Sequence, residues 1–405
     1  MEAPLDDVPD GTITTPQGYL AGATAAGMRD DYASDRLDLG LLVSERRAAA
    51  AAVYTTHRFP GASLRVSREH LQDTSAQTLL VNAGVANAFT GEQGIADATE
   101  LARLVGEQLG VDPRDVVVAS TGVTGWLLPM DRMRAGLRAI EPSREGGDAF
   151  AHAMLTTDTV AKQAAVRVEY GGVTYTVGGV AKGSGMINPD MATMLGFLTT
   201  DAPLEPAVMP GLVHRTVDAS FNQLTIDNDT SPDDMVLLMA NGAAGGDAIG
   251  PHHPALPLLG AAVERVAVSL TRQLARDGEG ATKLIEVHVS GAATLAAARV
   301  AAKSVAGSML LKAAVYGNDP NWGRALDAIG YSGVLAEETE IRLAIQGVET
   351  YRGAPVPFDE GALRAALAAE EVRIEIDLGA GEDSAMAWGC DLTPDYVRIN
   401  AEYTT

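Results

Sequence analysis

Strand-like apolar runs alternating with helical periodicity, a hairpin closed by two glycines, and a length sufficient for two or three packed layers predict an α/β protein of layered α+β type. The runs Leu79-Leu80-Val81 and Val116-Val117-Val118-Ala119 each lead into a Gly-bearing turn and read as buried strands. Between them, Ile95, Ala98, Leu101, Leu104 and Val105 recur at helical spacing over 94–109. Pro129 opens a second helical pattern to Ile140, with Met130, Met133 and Leu137 on one side. The stretch from Ala165 to Val177, broken by Gly171-Gly172, predicts a β-hairpin. Helical patterns follow near 205–219, 254–276, 293–305 and 360–370, with strands near 284–290, 340–346, 371–378 and 384–389. The Ala-rich tracts Arg46 to Val53 and Ala292 to Ala302 read as helix or small-residue packing, not as linkers. No internal repeat or interdomain linker stands out.

Composition narrows the function. A net charge of −23 argues against nucleic-acid binding, which needs a basic face. No apolar stretch reaches the roughly 20 residues of a membrane span. The acidic segment Met1 to Thr15 lacks the basic and apolar regions of a secretory signal. The single cysteine, Cys390, excludes an internal disulfide and fits a reducing cytoplasm. No charge partner for it is visible in Trp388-Gly-Cys-Asp391, so it reads as a small buried hydrophobe. The seven histidines show no HExxH or paired metal spacing, and no cofactor or metal is expected.

Chemistry concentrates in one segment. A Gly-rich, Lys-bearing stretch from Gly178 runs through Asn188-Pro-Asp-Met-Ala192 to Thr193, which opens an apolar run. The order of a P-loop is absent. On its own, the stretch could be a glycine-rich turn before a buried strand. It is accompanied by Asn82-Ala-Gly-Val-Ala-Asn-Ala88, Ser120-Thr-Gly-Val-Thr-Gly125, Thr156-Thr-Asp-Thr159, Ala181-Lys-Gly-Ser-Gly185, Asp277-Gly-Glu-Gly-Ala-Thr-Lys283, Gly317-Asn-Asp-Pro-Asn-Trp-Gly-Arg324 and Asn400-Ala-Glu-Tyr-Thr-Thr405. In this order, these segments make the chain resemble the ornithine acetyltransferase (glutamate N-acetyltransferase) family over nearly its whole length.

The resemblance implies an αββα sandwich of N-terminal-nucleophile type with a smaller C-terminal part. It implies self-cleavage between Ala192 and Thr193 into chains 1–192 and 193–405, which stay associated as a heterotetramer of two of each. Acetyl would pass from N2-acetylornithine to Thr193 and then to L-glutamate, within arginine biosynthesis. Some family members also use acetyl-CoA. The chemistry suits the residue type: after the cut, the α-amino group of Thr193, with a reference pKa of about 7.7–8.0, can take the hydroxyl proton of the same residue. The resemblance assigns the oxyanion hole to Thr121 and Gly122, and substrate binding to Thr156, Lys182, Thr193, Glu279, Asn400 and Thr405. Lys182 is suited to a substrate carboxylate and Glu279 to an ammonium.

Rival readings are a self-processing amidohydrolase or aminopeptidase, and a specialised-metabolite acyltransferase with another acceptor. The chain departs from the usual family pattern at several positions. Ala83 and Val85 stand where the family usually carries Ser and Asn, Asn228 where it carries Gly, and Pro232-Asp233 where it carries Thr-Asn. These departures bear on substrate preference. The acidic run Asp227 to Asp234 lacks the Gly and terminal Glu of an EF-hand and reads as a capped turn or active-site loop.

Overall fold

The computed structural model describes residues 5–188 and 194–402. The first half runs β1 (Asp6–Asp7), β2 (Tyr19–Thr24), β3 (Leu39–Tyr54), α1 (Ala62–His70), β4 (Ser75–Val85), α2 (Gly91–Leu109) and β5 (Val116–Val123). It continues with α3 (Met130–Ala139), α4 (Gly147–Ala153), β6 (Lys162–Tyr170) and β7 (Val173–Lys182). The second half opens with β8 (Leu195–Thr200), α5 (Met209–Ala219), β9 (Met235–Ala240) and α6 (Leu256–Arg276). After these come β10 (Leu284–Ala292), α7 (Leu295–Ala306), α8 (Met309–Tyr316), α9 (Gly323–Tyr331), β11 (Arg342–Ile345) and β12 (Val348–Arg352). The last elements are α10 (Glu360–Ala366), β13 (Glu371–Asp377), β14 (Asp383–Cys390) and α11 (Pro394–Glu402).

Nine strands form one sheet in the order β1-β6-β7-β8-β9-β3-β4-β5, with β2 paired to β3. The early part of β3 pairs with β2 and β4, while its later part, from Ala49, pairs with β9. A register shift between Val43 and Ala48 separates the two parts and lets the long strand pass from one layer to the other. Side-chain alternation then sorts the core. Leu79, Val81, Val117 and Ala119 pack with Leu195, Phe197, Met235, Leu237 and Met239 in a single cluster between the layers. Their neighbours Leu80, Val116 and Val118 face the opposite way, onto Leu101, Val105 and Leu137 of α2 and α3. Leu198, Val236 and Leu238 likewise pack on α5 and α6. The order is therefore helix, sheet, sheet, helix. Both faces of the central strands are buried, which is why they read as continuous apolar runs.

A second sheet, β12-β11-β13-β10-β14, builds the smaller C-terminal part around its own core with α7, α9 and α10. It is tied back to the sandwich where the Thr225 amide donates to the Trp388 carbonyl at 2.9 Å, and where Trp388 and Cys390 join the α6 cluster.

The expected helices and strands are present, including the hairpin β6–β7, whose Gly171 and Gly172 both have positive φ. Of the two readings of the Ala-rich tract 46–53, the structure takes small-residue packing and not helix: these residues lie entirely within strand β3. Their pairing with β9 and burial against both neighbouring layers override alanine's preference for helix.

One buried ionic node fixes the end of this framework that carries the site. The Lys162 ammonium, on β6, donates to Asp158 at 2.5 Å and also contacts Asp277 just beyond α6. Neither Lys162 nor Asp158 exposes any side chain. Asp158 also accepts from the Thr156 amide at 3.1 Å and the Gly183 amide at 2.6 Å. Burial alone would raise the Asp158 carboxyl, but Lys162 and Lys182 reverse this and hold it at about 2. Its pairing therefore stabilises the fold above the ordinary carboxylate pKa and is lost as pH falls from about 4 toward 2. Asp158→Asn should cost about 3–5 kcal/mol in urea unfolding at neutral pH, because it leaves a buried cation half-compensated. The variant should also lose part of the acid-induced destabilisation shown by the parent protein between those pH limits.

Candidate active site

Three elements converge on one cavity of about 150 Å³. Strand β5 delivers Thr121 and Gly122 at its end, strand β7 delivers Lys182 at its last position, and helix α11 delivers Asn400. The loop after α4 adds Thr156, and the turn after α6 adds Glu279. All six described residues assigned by resemblance line this cavity, together with Met194, which directly follows Thr193. Ala192, Thr193 and Thr405 lie outside the described residues.

Lys182 is 8% exposed, so it is no solvated surface charge. Its ammonium donates to Thr156 Oγ1 at 2.8 Å and to Thr121 Oγ1 at 3.2 Å. Burial lowers its pKa, opposed by the charges of Asp158, Asp234 and Glu279. Gly122 is dictated by packing. Its φ is +130°, and a β-carbon there would stand 2.3 Å from the backbone of Gly84 on β4. Only glycine lets β5 end this close to its neighbour with its amide beside the cavity.

Glu279 is 6% exposed. Its amide donates to the Ser184 carbonyl at 2.8 Å, and Asn400 Nδ2 donates to its Oε2 at 2.6 Å. A β-carbon on Gly185 would come within 2.4 Å of its carboxyl group, which explains the second glycine of the Lys-Gly-Ser-Gly run. Asn400 is therefore anchored to the site although it lies close to the chain terminus.

The acidic run 227–234, read from the sequence as a capped turn or active-site loop, lies against the cavity. Asp227 accepts from the amides of Met186 at 2.6 Å, Ile187 at 2.8 Å and Asp229 at 3.2 Å. The Tyr396 hydroxyl adds a fourth donor at 3.3 Å. These bonds pin the chain just ahead of Asn188 to Thr193. Asp233 and Asp234 end the loop at the start of β9 and line the cavity. Burial pushes both carboxyls well above their ordinary range, and Asp233 pushes Asp234 further.

Sequence reasoning missed Arg29, Tyr32 and Tyr396 as cavity residues. Arg29 sits in a loop whose local sequence gives no sign of a site, and topology alone brings it there. Cys390 is buried as expected but does have a charge partner: the Lys312 ammonium lies 3.7 Å from Sγ. Burial nevertheless raises the thiol pKa. That partner lies 78 residues away, beyond the reach of local sequence reading.

A cavity with two buried cations, a glycine-ended strand and several carboxyls can bind a zwitterionic amino acid and stabilise a developing oxyanion. Comparison with known proteins gives the same direction. Residues 20–405 match the ArgJ family model. The arginine biosynthesis bifunctional protein ArgJ of Symbiobacterium thermophilum is 49% identical over 398 residues, 98% of this chain and 99% of that protein. Its counterpart in Geobacillus kaustophilus is 47% identical over 407 residues, 100% of this chain and 98% of that one. The crystal structure of the Bacillus halodurans protein of the same name is similar at 45% identity and a TM-score of 0.51, covering 52% of this chain and 100% of that chain. With its motifs assembled around one cavity and its whole length matched by such relatives, the chain belongs to the ArgJ family of acyltransferases of arginine biosynthesis.

Proposed function

We propose that this protein transfers acetyl from N2-acetylornithine to L-glutamate through an acetyl ester on Thr193, after cutting itself between Ala192 and Thr193. The observation that carries the reading is the gathering of Thr121, Gly122, Thr156, Lys182, Glu279 and Asn400 around the cavity that Met194 enters. The hydroxyl of Thr193 attacks the acetyl carbonyl, and the Thr121–Gly122 end of β5 receives the oxyanion. The amide C–N bond breaks and ornithine leaves with the proton that the Thr193 α-amino group took from the hydroxyl. The amine of glutamate then attacks the ester carbonyl, the bond from Thr193 Oγ1 to the acetyl carbon breaks, and the α-amino group passes the proton lost by the amine to Oγ1, restoring Thr193.

Sheet pairing supports the idea that the cut halves stay together. β8 begins two residues after Thr193 and is hydrogen-bonded on one side to β7, from the first chain, and on the other to β9. β9 in turn pairs with β3 of the first chain. The Bacillus halodurans chain, matched in full by 52% of this one, agrees with a mature enzyme of two chains, since that share is close to the part of the sequence after Ala192. Two such pairs would form the heterotetramer, in a reducing cytoplasm. Lys182 is the cation for substrate carboxylates, and Glu279 takes the donor's ammonium.

Two measurements test this reading. On a denaturing gel, the purified protein should give two bands, the larger with an amino-terminal sequence beginning at Thr193, while Thr193→Ala should remain one chain of 42.1 kDa. A single band beginning at Met1 for the unsubstituted protein would overturn it. Kinetics should give parallel double-reciprocal lines, with an acetylated Thr193 peptide by mass spectrometry when glutamate is withheld. Glu279→Gln should raise the KM for acetylornithine roughly tenfold or more, as loss of a charge-assisted contact predicts, with processing unaffected. An unchanged KM would remove Glu279 from the donor site. Glutamate-independent release of ornithine at the full rate would favour hydrolysis over transfer.

A further inference from the structure

We propose that Asp233 and Asp234 form a second subsite of the cavity, one that takes a substrate's side-chain ammonium as a carboxylate and a substrate's side-chain carboxylate as a carboxylic acid. The inference rests on the acetyl-transfer reading above and adds how one cavity serves two substrates of opposite side-chain charge.

The two residues differ from the other acids of the cavity in their surroundings. Asp227 is occupied by backbone amides and Glu279 by the Asn400 amide. Asp233 and Asp234 are each 5% exposed, and neither pairs with a cation among the described residues. Asp233 Oδ1 and Asp234 Oδ2 are buried with no hydrogen-bond partner. Such atoms cost free energy unless a ligand or a proton satisfies them. Asp233 Oδ1 fills the space that Gly61 leaves open, where a β-carbon would lie 1.9 Å from it, and the Gly61 amide donates to the Pro232 carbonyl at 3.0 Å beside it. Strand register sets their position: the Met235 amide, next after Asp234, donates to the carbonyl of Met194, next after Thr193.

The charged and titratable groups that share the cavity are Lys182 from β7, Arg29 and Tyr32 from the loop after β2, Glu279 from the turn after α6, Tyr396 from α11, and Asp227 and Asp229 from the same loop. Lys182 is the cation proposed for substrate carboxylates at the amino-acid head, with Arg29 beside it held by Asp31 through Nε at 2.8 Å and a terminal nitrogen at 2.6 Å. The side-chain end is left facing acids. The donor carries one ammonium, on its side chain; facing Glu279 it also neutralises ionised Asp233 and Asp234 in the same cavity, whereas a glutamate side chain would meet like charge there in a low-dielectric site. Two adjacent buried carboxyls settle this by taking up one proton when the anionic side chain arrives, and then donating it in a hydrogen bond. Burial, and for Asp234 also its neighbour's charge, already favours the protonated form of each.

The test uses the intact processed enzyme. kcat/KM is measured for N2-acetylornithine and for N2-acetylglutamate, the donors that acylate the free enzyme in the forward and reverse directions, from about pH 6 to pH 9, and their ratio is taken, which cancels the titration of the Thr193 α-amino group. The ratio should rise with pH by about tenfold overall, because the ionised pair favours the cationic side chain and the protonated pair the anionic one. Asp233→Asn keeps shape and restores the residue usual in the family, so it should fold. It should flatten the ratio and raise the KM for acetylornithine severalfold, and by much more than it raises the KM for an acetylated amino acid with an apolar side chain of equal length. A pH-independent ratio in the unsubstituted enzyme would overturn the proposal whatever the variant does. So would a ratio that rises undiminished in Asp233→Asn, since another group would then carry it. Absence of any acetyl transfer from acetylornithine to glutamate would instead overturn the reading on which the proposal rests.

Discussion

The site depends on a cation that never meets solvent. Lys162 bridges Asp158 and Asp277, and through them it joins two stretches of chain more than a hundred residues apart. Asp158 holds the Thr156 and Gly183 amides, which flank Lys182 in space and in sequence. Asp277 begins the turn that presents Glu279, and its carbonyl accepts from Ser184 Oγ at 2.7 Å. The two charged side chains proposed to hold an amino-acid substrate are thus positioned by one buried ammonium. Burying such a group is costly, and the arrangement is stable only because both carboxylates and the surrounding amides are in place together.

The node also has a consequence for the proposed cut. Lys162 and Asp158 belong to residues 1–192, Asp277 to residues 193–405. The ion pair joins the halves at the cavity, as the β7–β8 and β3–β9 ladders join them through the sheet. A break between β7 and β8 interrupts no strand and leaves both ladders intact. The proposed cut would be local: it would free the residue before Met194, which lines the cavity, while the framework that holds Thr121, Lys182 and Glu279 stayed closed.

The layered fold was legible where local pattern and environment agree. β4, β5 and the helices α2, α3, α6 and α7 follow their apolar periodicity, because each buries one stripe or both faces in a regular layer. Residues 46–53 were not legible, since an alanine run carries helix preference and only its partners β4 and β9 make it a strand. The site was legible through glycines and charges in ordered motifs. Gly122 and Gly185 mark positions where a β-carbon would strike Gly84 or Glu279. Arg29 and Tyr396 were hidden, because their approach to the cavity is set by tertiary topology and not by neighbours in sequence. The lysine beside Cys390 was hidden for the same reason.

A carboxyl pair that accepts a proton also bears on the nucleophile's own base. An α-amino group of reference pKa about 7.7–8.0 can take a hydroxyl proton only while it is neutral. Placed among ionised carboxylates with little water between, it would be held as ammonium, and the base would be lost. Lys182 offsets part of that field, but its pKa is itself lowered by burial. Protonated Asp233 and Asp234 would leave the field near Met194 closer to neutral, so that the new terminus keeps its basicity. The same two residues would then govern which side chain the cavity accepts and whether Thr193 can react at all. Removing one carboxyl by Asp233→Asn leaves Asp234 alone beside Lys182, where it ionises more readily because its neighbour's charge no longer opposes it. In the unsubstituted protein, mutual repulsion between adjacent acids keeps the cavity adjustable; a single acid beside a lysine would be fixed in one charge state.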